Sequence, residues 1–255
     1  MKLAPRYPYV LFDLGNTLIY FQGVWSEVVS ESCRAAARAL IRQGYALDEQ
    51  GFAQAFEDLA EVYYRRREEE FTEYPAHFIL GEALRAHGFA NPPADHLRAA
   101  LRDMYAVSQA HWFIEADTIP TLEALRACGC RLGLISNAAD DEDVQKLIDN
   151  AGIRSYFDVI LVSAAFGRRK PGPAIFLRAL ETWQARPEQA VMVGDTLPAD
   201  IEGANRLGIT SVWIRRRADN PANGQLLALH PPRVTIDALS ELPALVGCSP
   251  APGPL

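Results

Sequence analysis

Apolar and polar positions follow two different rhythms along the chain. Between Trp25 and Ala110 apolar residues recur every three or four positions, the spacing of one helix face. Four segments carry that period: Glu27–Ile41, Glu49–Phe71, Ala76–His87 and Asp95–Ala110. Gly44, Tyr74-Pro75 and the stretch from Gly88 to Pro93 separate them. The pattern predicts an antiparallel helical module. On either side, short continuous apolar runs replace it. Tyr9–Phe12 is the first. Arg131–Ile135, Val159–Val162, Ala190–Val193, Thr210–Ile214 and Arg233–Ile236 follow, alternating with helix-period segments at Thr121–Cys128, Asp141–Asn150, Pro173–Trp183, Asp200–Leu207 and Ala238–Val246. Apolar strands alternating with helices indicate a parallel sheet buried on both faces. The first strand belongs with the later ones, so the helical module is an insertion. The expected division is an α/β core of residues 1–20 and 112–248, an all-α insertion at 21–111, and a disordered Pro/Gly-rich tail at 249–255.

Composition narrows the function classes. The 255 residues are 49% hydrophobic and 22% charged, the balance of a soluble globular protein. The net charge of −7 argues against nucleic acid or an anionic membrane as the main partner. No apolar run approaches a membrane span. Lys2, Arg6 and two prolines in the first nine residues do not read as a secretory signal, so a cytoplasmic protein is expected. The cysteines are Cys33, Cys128, Cys130 and Cys248, without a CxxC pair. They are expected to be reduced, packed thiols. Arg65-Arg66-Arg67 before Glu68-Glu69-Glu70 is expected to be a solvated helix face with pairing of the Arg66–Glu70 type.

Polar residues collect where the predicted strands end. Asp13 follows the first strand, Ser136 and Asn137 the second, and Asp195 the run Ala190–Val193. Lys170 lies in the loop after Val159–Val162. In an open parallel sheet these carboxyl ends converge on one crevice. Singly, each has a plain structural reading: a turn, a helix cap or a surface lysine. Together they suit phosphoryl transfer, which needs an attacking oxygen, charge neutralisation and in-line positioning. A carboxylate such as Asp13 can attack phosphorus, Lys170 can neutralise charge, and Asp13 with Asp195 can bind a hard cation.

The same residues resemble the four motifs of the haloacid dehalogenase-like (HAD) hydrolase superfamily. Phe12-Asp13-Leu14-Gly15-Asn16-Thr17-Leu18 is similar to the first and Leu134-Ile135-Ser136-Asn137 to the second. Lys170-Pro171-Gly172-Pro173 is similar to the third and Gly194-Asp195-Thr196-Leu197-Pro198-Ala199-Asp200 to the fourth. The resemblance implies a Rossmann-like core with a helical cap inserted after the first motif. It implies Asp13 as nucleophile, with Ser136 and Lys170 completing the catalytic set. Leu14, Gly15, Ser136, Asn137 and Lys170 would hold the phosphoryl group. Asp13, the Gly15 carbonyl, Asp195 and, through water or by orienting its neighbours, Asp200 would hold Mg²⁺. The implied substrate is a small phosphorylated metabolite, met by a monomer or homodimer.

One position departs from that pattern. The family's phosphatases usually carry a second Asp two residues after the nucleophile, which protonates the leaving group. Here that residue is Gly15. General acid catalysis contributes roughly 10²–10⁴-fold, so either another residue donates, or the leaving group needs little help, or activity is low. His77, His87, His96, His111 and Glu115 are the sequence's candidates for a donor. A 2-haloacid dehalogenase-type hydrolase and a non-catalytic binding protein are the alternative readings. Asp195 and Asp200 count against the first. A phosphonate hydrolase would need a cap lysine, and none lies between Trp25 and Ala110. The insertion's aromatics (Phe52, Phe56, Tyr63, Tyr64, Phe78 and Trp112) are expected to be core packing, with Trp25 nearest the cleft.

Overall fold

The computed structural model describes residues 6–218 and 221–248. The first five residues and the tail expected to be disordered lie outside the described residues. The chain starts with strand β1 (Tyr9–Phe12) and a short strand β2 (Ile19–Phe21). Helices α1 (Trp25–Arg42), α2 (Glu49–Glu70), α3 (Ala76–Ala86) and α4 (Ala94–Gln109) follow, and strand β3 (Trp112–Ile114) returns the chain to the sheet. Then come α5 (Thr118–Ala127), β4 (Arg131–Ser136), α6 (Asp141–Asn150), β5 (Val159–Val162), α7 (Ser163–Phe166), α8 (Pro173–Trp183) and β6 (Ala190–Gly194). A π-helical turn at Leu197–Glu202 leads into α9 (Gly203–Leu207), β7 (Thr210–Ile214), α10 (Pro221–Leu226), β8 (Val234–Ile236) and α11 (Leu242–Leu245).

Six strands form one parallel sheet in the order β5-β4-β1-β6-β7-β8. Side chains alternate across it. Val10, Phe12, Leu132 and Leu134 join Leu122, Leu125 and Ile148 on one face. Leu11, Ile135 and Met192 join Ile175, Phe176 and Leu180 of α8 on the other. Both faces are therefore dry, which is why the strands read as continuous apolar runs. β1 has β4 on one side and β6 on the other, so the strand order reverses beside it. Phe12 pairs with both Leu134 and Val193, which puts Asp13 at that switch point, where open α/β sheets bind ligands.

The inserted helices pack around their own apolar centre, with Ala36, Ala37 and Leu40 of α1 against Leu80, Leu84 and Leu101. The small side chains on α1 let α4 approach closely. Asp48 caps α2, its carboxylate accepting the Gly51 N–H at 2.7 Å. Each of the four helices predicted in the insertion forms within one or two residues of its expected ends, and the strands do likewise.

Differences fall at short elements. The antiparallel ribbon of β2 and β3 has no counterpart in the sequence pattern. It spans the junctions at 20/21 and 111/112, and three residues per strand carry no readable period. α7 and α10 are equally short. The helix predicted at Asp200–Leu207 begins three residues earlier, as the π-helical turn. The final predicted helix is a 3₁₀ turn, Leu239–Glu241, followed by the four residues of α11. Cys128 and Cys248 are not reduced thiols but are joined by a disulfide, with Cα atoms 5.7 Å apart. Cys33 and Cys130 are free and buried. The correction comes from tertiary packing: α11 lies against α5, a proximity invisible to a chain separation of 120 residues. The described helices include none long and apolar enough to cross a membrane.

Candidate active site

Asp13, Ser136, Asn137, Lys170, Asp195 and Asp200 all reach one cavity of about 700 Å³ between the sheet's carboxyl edge and the inserted helices; Leu14 and Gly15 line it too. Asp13 is anchored by its backbone N–H, which donates to the Val193 carbonyl at 2.9 Å. Its carboxylate accepts from Lys170 Nζ at 2.7 Å. The same ammonium lies 2.7 Å from Asp200 Oδ1 and donates to the Ile135 carbonyl at 2.8 Å. Two hydrogen bonds and an ion pair thus surround the ammonium. Lys170 acts on this site through its charge and through the hold it has on Asp13, rather than by an uncommitted N–H.

Lys170 is held in turn by Asn137. The Asn137 amide accepts from the Lys170 backbone N–H and donates to its carbonyl, both at 2.9 Å. This two-way bond fixes the loop after β5 against the loop after β4. Ser136 is buried on the cavity wall.

Asp195 and Asp200 follow β6. The Thr196 N–H donates to Asp200 Oδ2 at 3.0 Å, and the Asp195 carbonyl accepts from the Trp213 indole at 2.9 Å. Asp200 thus ties down the beginning of its own π-helical turn from inside it. Gly194 is what lets it in: a Cβ there would stand 2.2 Å from Asp200 Oδ2. Carboxylate oxygens of Asp13, Asp195 and Asp200 lie within 4.8 Å of one another. Burial raises Asp195 well above the usual carboxylate range, and the charges of Asp13 and Asp200 push it further. Burial likewise lifts Asp200 to about 6, with Lys170 pulling down and Asp13 pushing up. Lys170 is raised: burial alone would lower it, but Asp13 and Asp200 outweigh that cost. Three acids face one lysine, all with hard oxygen donors. This is a donor set that fits a small divalent cation such as Mg²⁺.

Sequence reasoning missed several contributors. Glu73, in the α2–α3 connection, is buried and takes Arg67 at 3.0 Å and Arg169 at 3.5 Å. Ser163 of α7 donates to Glu73 at 2.7 Å and accepts from the Ala138 N–H at 2.9 Å. The backbone joins in: Arg169 N–H donates to Phe71 O at 3.1 Å, and Ala76 N–H to Ala139 O at 2.7 Å. This network clamps the α2–α3 connection onto the loops that carry Ser136 and Lys170. Arg66 pairs with Glu70 as expected, but Arg67 turns inward and lines the cavity, so that run is not wholly a solvated face. Asp143 also lines the cavity, and Gln109 of α4 donates to it at 2.9 Å. Burial pushes its carboxyl up to about 7; Gln109 opposes the shift and Asp140 adds to it. A glutamate after a helix and an aspartate in a helix's first turn carry no sequence signal for such roles.

The aromatics divide. Phe52 is core, and Tyr63 packs edge-on against Phe78 at 5.5 Å. Phe56 is core as expected and also reaches the cavity wall, whereas Tyr64 and Trp112 line the cavity against expectation and Trp25 lines it as expected. The five donor candidates do not reach it: none of the four histidines, nor Glu115, is on the wall. Glu115 is instead buried against Arg217 at 2.7 Å.

Comparison with known proteins agrees with this geometry. Residues 7–208 match the family described as haloacid dehalogenase-like hydrolase, and the chain belongs to that family. The glyceraldehyde 3-phosphate phosphatase of Methanopyrus kandleri is 36% identical over 211 residues, covering 81% of this chain and 83% of that one. Among solved structures, a HAD phosphatase from Thermococcus onnurineus superposes with a TM-score of 0.64 at 25% identity, covering 95% and 99% of the two chains. A 2-haloacid dehalogenase from Pseudomonas syringae does so with a TM-score of 0.64 at 26% identity, covering 94% and 97%.

Proposed function

We propose that the protein is a Mg²⁺-dependent phosphatase that hydrolyses a small phosphorylated metabolite through an aspartyl-phosphate on Asp13. The observation that carries this reading is the Asp13–Lys170–Asp200 bridge with Asp195 beside it, facing a cavity roofed by the inserted helices. Lys170 holds Asp13 in place, with one carboxylate oxygen engaged and the other available to attack phosphorus. Asp13, the Gly15 carbonyl, Asp195 and Asp200 would hold Mg²⁺, which when bound offsets the repulsion between an anionic nucleophile and an anionic substrate. Ser136 and the backbone after Asp13 and at Asn137 would orient the phosphoryl oxygens. The helices over the cavity exclude bulk water while the ester on Asp13 forms and is hydrolysed.

The acid cluster favours this reading over the dehalogenase alternative. Displacing halide from carbon transfers no phosphoryl charge and needs no cation, so three clustered acids would only repel one another. A relative that acts on a triose phosphate supports the metabolite class. A monomer or homodimer in the cytoplasm belongs to the same proposal, although the Cys128–Cys248 bond counts against a strongly reducing compartment.

Phosphate release from p-nitrophenyl phosphate and sugar phosphates, with Mg²⁺ and with EDTA, tests it. Release should require Mg²⁺ and vanish in Asp13→Asn. Halide release from a 2-haloacid, unaffected by EDTA, would sink the phosphatase reading.

A further inference from the structure

The cavity wall shows what stands where the second aspartate would be. A Cβ on Gly15 would lie 3.2 Å from Trp112 Cη2 and 3.5 Å from Cζ3. A side chain at residue 15 would need that ring to give by a few tenths of an ångström. The ring is braced. β3 pairs Trp112 with Phe21 of β2, whose side chain packs edge-on against it at 5.4 Å. Phe21 is in turn packed edge-on against Trp25 at 5.0 Å. Trp25 and Trp112 both face the cavity. Gly15 therefore faces a packed, apolar aromatic wall rather than open space.

Building on the phosphatase reading, we propose that the substrates are aryl or acyl phosphates, whose leaving oxygen departs as a stabilised anion and needs no proton from the enzyme. Asp13 attacks phosphorus, and the bond to the leaving oxygen breaks with its electron pair passing to that oxygen as phenolate or carboxylate. Water then attacks the phosphorus of the Asp13 ester and the bond to Asp13 breaks. One water proton stays on the released hydrogen phosphate and the other goes to solvent. The aromatic wall accommodates a flat leaving group by ring packing. An alkoxide, by contrast, would leave beside that apolar surface with no acid at residue 15 to protonate it.

Two half-buried acids outside the carboxylate cluster compete as donors on the same cavity: Asp143 of α6 and Glu57 of α2, whose carboxyl burial raises. A leaving-group series separates an unassisted departure from donation by either. The experiment measures kcat/KM with Mg²⁺ for substituted phenyl phosphates of graded phenol acidity, acetyl phosphate, glycerol phosphate and glyceraldehyde 3-phosphate. The quantity must be kcat/KM, because hydrolysis of the Asp13 ester is common to every substrate and would mask the slope in kcat. For wild type we expect a steep fall as the leaving group becomes more basic, with p-nitrophenyl phosphate ahead of glycerol phosphate by on the order of 10²–10⁴-fold, the usual worth of a general acid. Asp143→Asn and Glu57→Gln should each keep that slope. Gly15→Asp combined with Trp112→Ala, which vacates the space, should raise the alkyl esters at least about tenfold relative to the aryl ones, a fraction of the same factor. Should the double variant not fold, the wild-type series alone decides. Alkyl esters hydrolysed as well as aryl ones overturn the proposal. So does a shallow wild-type slope that turns steep in Asp143→Asn or Glu57→Gln, which would make that residue the acid. Absence of Asp13-dependent release from every compound overturns the phosphatase reading itself.

Discussion

Lys170 is the residue on which the site's electrostatics turn. It is 1% exposed, and so is Asp200. Removing one member of such a buried pair leaves an uncompensated charge, at a cost of about 3–5 kcal/mol. Lys170→Met should therefore lose stability as well as phosphatase activity. Asp13, Asp195 and Asp200 then form an unneutralised acid cluster, so added Mg²⁺ should recover part of the loss by binding the folded state. Urea unfolding of wild type and variant, with and without Mg²⁺, measures this. A variant no less stable than wild type would mean that Lys170 is not the counter-charge of the cluster. The positions of these groups were legible in the sequence, because each follows a readable strand. That Lys170 meets the Ile135 carbonyl and Asp200 as well as Asp13 was not, since these two arrive from other parts of the chain. Nor was the cover that Trp112 places over Gly15, 97 positions earlier in the chain.

At the scale of elements, two of the contacts that join the inserted helices to the core carry predictions. The first is Gln109 of α4 on Asp143 of α6. The Asp143 carboxyl, pushed up to about 7 in the fold, would titrate near 3.9 in the unfolded chain. For an acid raised in the folded state, the penalty is absent below the unfolded value. It grows as pH climbs through the window from about 4 to about 7 and is complete above it. Asp143→Asn keeps an acceptor for Gln109 and cannot ionise. It should match wild type near pH 4 and exceed it above pH 7. Across that window the advantage grows by at most about 1.4 kcal/mol for each pH step of one. Urea midpoints at pH 4, 6 and 8 check this; equal stability at all three would show that the carboxyl is not held in a dry contact. The second contact is the Glu73 clamp. Glu73→Ala strands Arg67 and Arg169 with less counter-charge and leaves the Ser163 hydroxyl only the Ala138 carbonyl, at 3.1 Å, to donate to. Stability should fall by about 3–5 kcal/mol, and the α2–α3 connection should become the first site of limited proteolysis. An unchanged digestion pattern would count against a clamp. These contacts were illegible in the sequence because they join surfaces across the helix–sheet boundary, where neither partner has a periodic pattern.

Across the whole molecule, the alternation of short apolar runs and helix-period segments was enough to read the parallel sheet and the helical insertion. Both sheet faces are buried, so every central strand is apolar along its length. What the pattern could not carry was closure of the far end. Cys128, just after α5, and Cys248, shortly after α11, are brought together by the packing of those two helices. The bond closes a loop that contains every strand of the main sheet except β1, so it cross-links most of the core. Closing so long a loop removes entropy from the unfolded chain and stabilises the fold by about 2–4 kcal/mol. For a chain of this size each kcal/mol moves the midpoint by roughly 2–4 °C. Reduction with dithiothreitol, or Cys248→Ser, should lower the melting temperature by on the order of 10 °C. Cys130 supplies the control: its sulfur lies within 4.8 Å of the other two but is outside the bond. Cys130→Ser should keep the dithiothreitol sensitivity, and Cys248→Ser should abolish it. If oxidised and reduced wild type melt together, the two ends of the core are held by packing alone, and the bond adds nothing to what the contact of α5 with α11 already supplies.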